Sequence, residues 1–192
     1  MAVLVIASVL LLVAAAEPLA LTDGERARLE RGEVLVTSSP AADKLGTVAT
    51  ARAVIDAPPD KVWPLVWDCS RFVRTMPSIA KSELVEHKDN TTLCHVVADL
   101  PFPFSDLTSL SRAVLEVVPG VCWRRTWKMV EGDYTVNQGS FTLVPWGQGK
   151  TLATYQIDAR PKVPLPDWML AKIQTDRLPE MMVRIRSHAT VR

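Results

Sequence analysis

The apolar positions along this chain change period four times. Residues 2–16, AVLVIASVLLLVAAA, form an apolar run broken only by Ser8. TDGERARLERGE, residues 22–33, is charged nearly all round and offers Thr22 or Asp23 as a cap, which predicts a short solvated helix or an ordering linker. EVLVTSSP, residues 33–40, reads as a short strand, and GTVATARAVIDAPP, residues 46–59, alternates long enough to predict a second, longer one. In APPDKVWPLVWDCSRFVRTMP the spacing turns helical. Val62, Leu65 and Val66 share a face, Pro64 falls in about the first turn, and Asp68 or Ser70 can cap a second short helix ending near Met76 and Pro77.

From Lys81 onward the pattern is strand, turn, strand. SELVEH, TTLCHVVADL, LTSLSRAVLEVV, VCWRRTWKMV, GSFTLVP and KTLATYQIDA are separated by KDN, a Pro-Phe segment, PG, EGD and WGQG. Strands so spaced and so joined predict an antiparallel meander. PDWMLAKIQTDRLPEMMVRIRSH then returns to a helical period through Met169, Leu170, Ile173, Met181, Met182 and Ile185, with Pro179 inside it as an expected kink.

Length and charge narrow the function. At 192 residues one core and one domain suffice, and 22 Lys plus Arg against 21 Asp plus Glu leave no field or basic run for nucleic acid. The run from Ala2 to Ala16 is too short for a membrane span and resembles the core of a secretory signal, with Ala14 and Ala16 preparing cleavage before Glu17. The expected protein is exported, periplasmic or secreted, or membrane-anchored where that segment is kept. Residues 1–16 are then the signal, 17–45 an amino-terminal extension and 46–192 the domain. The three cysteines, Cys69, Cys94 and Cys122, are an odd number without a Cys-x-x-Cys pair, and read as buried or half-buried free thiols.

The order of elements, with IDAPPDKVWPLVWD, LPFPFSDLTSLSRA, GSFTLVPWGQGKTLATYQID and PLPDWMLAKIQTDRLPEMM, resembles the START and Bet v 1-like (SRPBCC, polyketide cyclase/dehydrase) superfamily over residues 46–189. The resemblance implies an α+β helix-grip fold. A curved antiparallel sheet would wrap a long carboxy-terminal helix, with two short helices after the first long strand. It also implies an internal cavity for a lipid or other hydrophobic molecule. The expected protein needs no cofactor and is a monomer that meets a membrane transiently. One fold hosts many functions, so the residues have to carry the rest.

Strand alternation assigns faces. Trp123, Arg125, Trp127 and Met129 share one face, the expected interior, since two indoles would otherwise stand in water. Phe141 goes with Leu143, Tyr155 with Ala153 and Ile157, His95 and Asp99 with Leu93 and Val97, and Arg112 with Leu110 and Val114. His95, Asp99, Arg112, Trp123, Arg125, Trp127, Phe141, Tyr155, Met169 and Ile173 are therefore the candidate ligand contacts. Plain core packing and surface-directed arginines are the competing reading. A buried arginine needs a partner, and Asp99, Asp106 or a ligand head group are the candidates. Pro101 and Pro103 stiffen a crossing in which Phe102 and Phe104 offer apolar area to a gate or a membrane, or plug the strand ends.

The search for catalysis finds little. There are three histidines, no Gly-x-Ser-x-Gly, no His-Glu-x-x-His and no phosphate loop, so neither a triad nor a metal site can be built. Cys94 and His95 are neighbours in a strand and point apart. A lone acid or base in the cavity, His95, Asp99 or Tyr155, is what a cyclase-, aromatase- or hydrolase-like alternative would use.

Overall fold

A computed structural model describes residues 21–190, so the apolar run at residues 2–16 lies outside the described residues. Eight strands form one antiparallel sheet: β1 (Leu35–Pro40), β2 (Thr47–Ile55), β3 (Ile79–Lys88), β4 (Thr91–Ala98), β5 (Leu107–Val118), β6 (Cys122–Gly132), β7 (Tyr134–Trp146) and β8 (Lys150–Pro161). Their order is β1-β2-β8-β7-β6-β5-β4-β3. After β2 the chain crosses to the far edge through α2 (Pro59–Trp67), a 3-10 turn (Cys69–Arg71) and α3 (Phe72–Thr75). The meander then walks back until β8 pairs with β2, Ala51 opposite Tyr155 and Ala53 opposite Ala153. The terminal helix consists of α4 (Asp167–Lys172), a π turn (Ile173–Arg177) and α5 (Leu178–Thr190).

The core lies between the concave face and the helices. Ala49, Ala51, Ala53 and Ile55 of β2 bury with Phe141, Leu143, Ala153 and Tyr155, under Val62, Leu65 and Val66 of α2 and Leu178, Met181, Met182 and Ile185 of α5. The alanines of β2 leave room for α5, and the larger side chains come from the helix and the middle strands. Each fully buried Leu, Ile, Phe or Met contributes roughly 1.5–3 kcal/mol. A second cluster sits on the convex face, where Leu29, Leu35, Val54 and Leu152 bury together. Leu29 belongs to α1 (Asp23–Glu30), whose Thr22 hydroxyl accepts from the Glu25 amide at 3.2 Å while the Thr22 amide donates to the Glu25 carboxylate at 2.8 Å. This helix is solvated except for that one anchor.

Three expectations change. Cys69 and Cys94 are joined in a disulfide with their Cα atoms 6.2 Å apart, and Cys122 alone is free. The sequence hid this because the corner after α2 reaches β4 only through the crossover, and 25 residues separate the partners. Pro64 lies in the second turn of α2 rather than the first, since the helix begins at Pro59. Pro179, in place of a simple kink, follows the π turn Ile173–Arg177, where the ladder is already widened and a missing amide is accommodated.

Candidate ligand site on the concave face

The middle of the concave face is aromatic. On β6, Trp123, Arg125 and Trp127 are buried and Thr126 and Lys128 are exposed, so the strand has the expected phase. Arg125 stands opposite Phe141 of β7, which stands opposite Tyr155 of β8. The Trp127 and Tyr155 rings stack at 5.5 Å, and Phe141 meets Tyr155 edge-on at 5.4 Å. Gly139 makes this possible, because a Cβ there would come within 2.5 Å of the Trp127 indole and collide with the Gln156 carbonyl. The indole N–H of Trp127 donates to Asn137 Oδ1 at 3.3 Å.

Arg125 is only 4% exposed. Its guanidinium carbon lies 5.1 Å from the Trp127 ring and 5.3 Å from the Phe72 ring. Nη2 donates to Cys94 Sγ at 3.8 Å, and Nε has no hydrogen-bond partner among the described residues. Burial pushes the Arg125 pKa down to about 10. The same burial raises that of Tyr155, against the pull of Arg125, and burial pushes Tyr134 up to about 12. Both phenols therefore stay neutral at physiological pH.

On β4 and β5 the phase is opposite to the one expected. Thr92, Cys94, Ser109, Ser111 and Ala113 are buried on the concave side, while Arg112 and Val114 are exposed. His95 stands opposite Leu110 on the convex side, and Asp99, beyond the end of β4, is exposed. His95, Asp99 and Arg112 therefore do not line the interior. The reason is steric. Ala113 faces Trp127 and Ser111 faces Met129 across the β5–β6 pair, so the large β6 side chains leave space only for small neighbours, and the bulkier residues of β5 point outward. Asp106 is exposed too and accepts from the Leu100 amide at 3.4 Å, so neither aspartate partners Arg125.

Arg112 instead lines two convex-side depressions. One, of about 580 Å³, is formed largely by Arg112, Val114, Thr126, Lys128, Gln138 and Gln156; the other, of about 160 Å³, lies beside the β3–β4 turn. On the terminal helix Met169 is buried, and the Ile173 side chain lies outside the described residues. Phe102, in the loop between β4 and β5, is 96% exposed and Phe104 is half-buried. The sequence reading missed Phe72, Ser109 and Ser111 as interior groups. Only alternation with Trp127 across the β5 pairing, which needs the register, could have shown the two serines.

A family model described as polyketide cyclase / dehydrase and lipid transport matches residues 55–186. The chain belongs to this family. A STAR-related lipid transfer protein from Xanthomonas axonopodis superposes with a TM-score of 0.71 at 20% identity, covering 82% of this chain and 94% of that one. Human StAR-related lipid transfer protein 5 gives 0.71 at 12% identity, covering 82% of each chain. Zhui aromatase/cyclase from Streptomyces sp. R1128 gives 0.51 at 17%, covering 74% of this chain and 86% of that one. At these identities the likeness establishes the fold, a helix grip in which a curved antiparallel sheet holds a long terminal helix. Among curated protein sequences none matches the chain.

Proposed function

We propose that this protein binds one lipid-like or other hydrophobic molecule between the concave face and the terminal helix, and carries it between membranes. The observation that carries the reading is Arg125, a charge held among aromatic rings with Nε unserved. A filled structural core has no use for such a group, since burying a charge without a partner costs several kcal/mol. Binding would draw its strength from apolar area removed from water, at about 25 cal/mol per Å². Loading would require the terminal helix or the Pro-Phe loop to move, and the π turn Ile173–Arg177 ahead of Pro179 is where the helical ladder departs from α geometry.

The strand registers bring the loops that carry Leu45, Phe102 and Val163 to the same end of the sheet, all three exposed, and exposed Trp168 follows at the start of α4. These exposed apolar side chains support a transient membrane contact there. The Cys69–Cys94 disulfide supports an exported protein, because such bonds persist in oxidising compartments. The cyclase-like alternative is left with Tyr155 alone of its three candidates, and a phenol whose pKa is raised stays protonated at neutral pH and offers no base there.

Movement of a labelled lipid between donor and acceptor vesicles tests the reading. Sub-stoichiometric protein should accelerate transfer several-fold over the spontaneous rate. No acceleration with any of a sterol, a phospholipid and a fatty-acid probe would overturn carriage.

A further inference from the structure

The chemistry around Arg125 defines the cargo further, on the reading that the concave face is the ligand site. Two aromatic rings crowd the guanidinium, whose carbon lies 5.1 Å from the Trp127 ring and 5.3 Å from the Phe72 ring. Nη2 rests on the sulfur of Cys94 at 3.8 Å, which in a disulfide carries no charge to neutralise it. Nε is buried and has no partner among the described residues. Asp99 and Asp106 are exposed and away from the interior, and buried Asp158 lies on the convex side, bound to Arg160 at 2.6 Å. Among the described residues, then, no carboxylate neutralises this cation. The titratable group that acts on it is the Tyr155 phenol, which is neutral.

We infer that the ligand is an anionic amphiphile whose oxyanion head, a carboxylate or a phosphate, pairs with the unpartnered Nε of Arg125 while its apolar body lies along Trp127, Tyr155 and Phe141. A neutral lipid would leave the buried cation unneutralised. An oxyanion supplies the missing charge and accepts from the Nε–H, the pairing for which the planar fork of arginine is suited.

Three probes sharing one chain separate the possibilities: oleate, oleyl phosphate and oleyl alcohol. Binding of each to the full-length protein, stripped of lipid, is measured by native mass spectrometry and equilibrium dialysis below micelle concentrations. The inference predicts that at least one anion binds about tenfold or more tighter than the alcohol, the scale of a hydrogen bond to a charged group. The tighter of the two identifies the head. In Arg125→Met the preference should fall to within about twofold, by the same hydrogen-bond scale, with the alcohol's affinity retained. That retention shows that the apolar site has survived the substitution. Arg125→Lys, which keeps charge and loses the fork, should fall between. Equal binding of anions and alcohol by the unaltered protein would overturn the anionic head while leaving the interior site standing. Uptake of none of the three, nor of any lipid from mixed vesicles, would overturn both.

Discussion

At the scale of single residues, Arg125 and Gly139 set the character of the interior. On the proposed reading, Arg125 is a group kept for function against stability. Its removal in Arg125→Met should stabilise the ligand-free protein by roughly 1–3 kcal/mol, because an unneutralised buried charge is replaced by an apolar side chain of similar reach. Thermal or urea unfolding of lipid-stripped protein checks this, and a destabilised variant would show that the guanidinium is well satisfied in the empty state. Gly139 has the opposite sense. Gly139→Ala places a Cβ against the Trp127 indole and the Gln156 carbonyl, one of them backbone, and should cost at least about 2 kcal/mol. A shift in the denaturant midpoint with unchanged slope is the expected signature.

At the scale of elements, the Cys69–Cys94 bond ties the crossover corner to β4 beneath Phe72, one of the rings over Arg125. Closing a loop of this length is worth about 3.5 kcal/mol in the chain-entropy description. Cys69→Ser with Cys94→Ser should therefore lower stability by that order, and reductant should have no further effect on the double variant; insensitivity of the unaltered protein to reductant under unfolding conditions would contradict the bond. The sequence shows the meander, the paired short helices and the terminal helix, because turns and periods are local properties. It shows the phase of β6, β7 and β8, whose inner faces hold the large aromatics. It does not show the phase of β4 and β5. There Leu110 and Val114 point outward, and Ser111 and Ala113 inward, since residues on another strand have already filled the interior. The disulfide was hidden for a related reason, as it depends on which strand the crossover packs upon.

At the scale of the molecule, the fold sets an aromatic floor and the buried Arg125 under a terminal helix that contains a π turn, with exposed apolar side chains at one end of the sheet. These parts make sense together if the terminal helix opens to admit a hydrophobic molecule. The most direct test is the intact mass of the full-length protein, purified from its producing cell without detergent, under native and then denaturing conditions. The account predicts a stoichiometric extra mass in the native spectrum that disappears on denaturation and is recovered as one class of extractable hydrophobic compound carrying an acidic head. A native mass equal to the denatured mass, both before and after incubation with mixed membrane lipids, would contradict it.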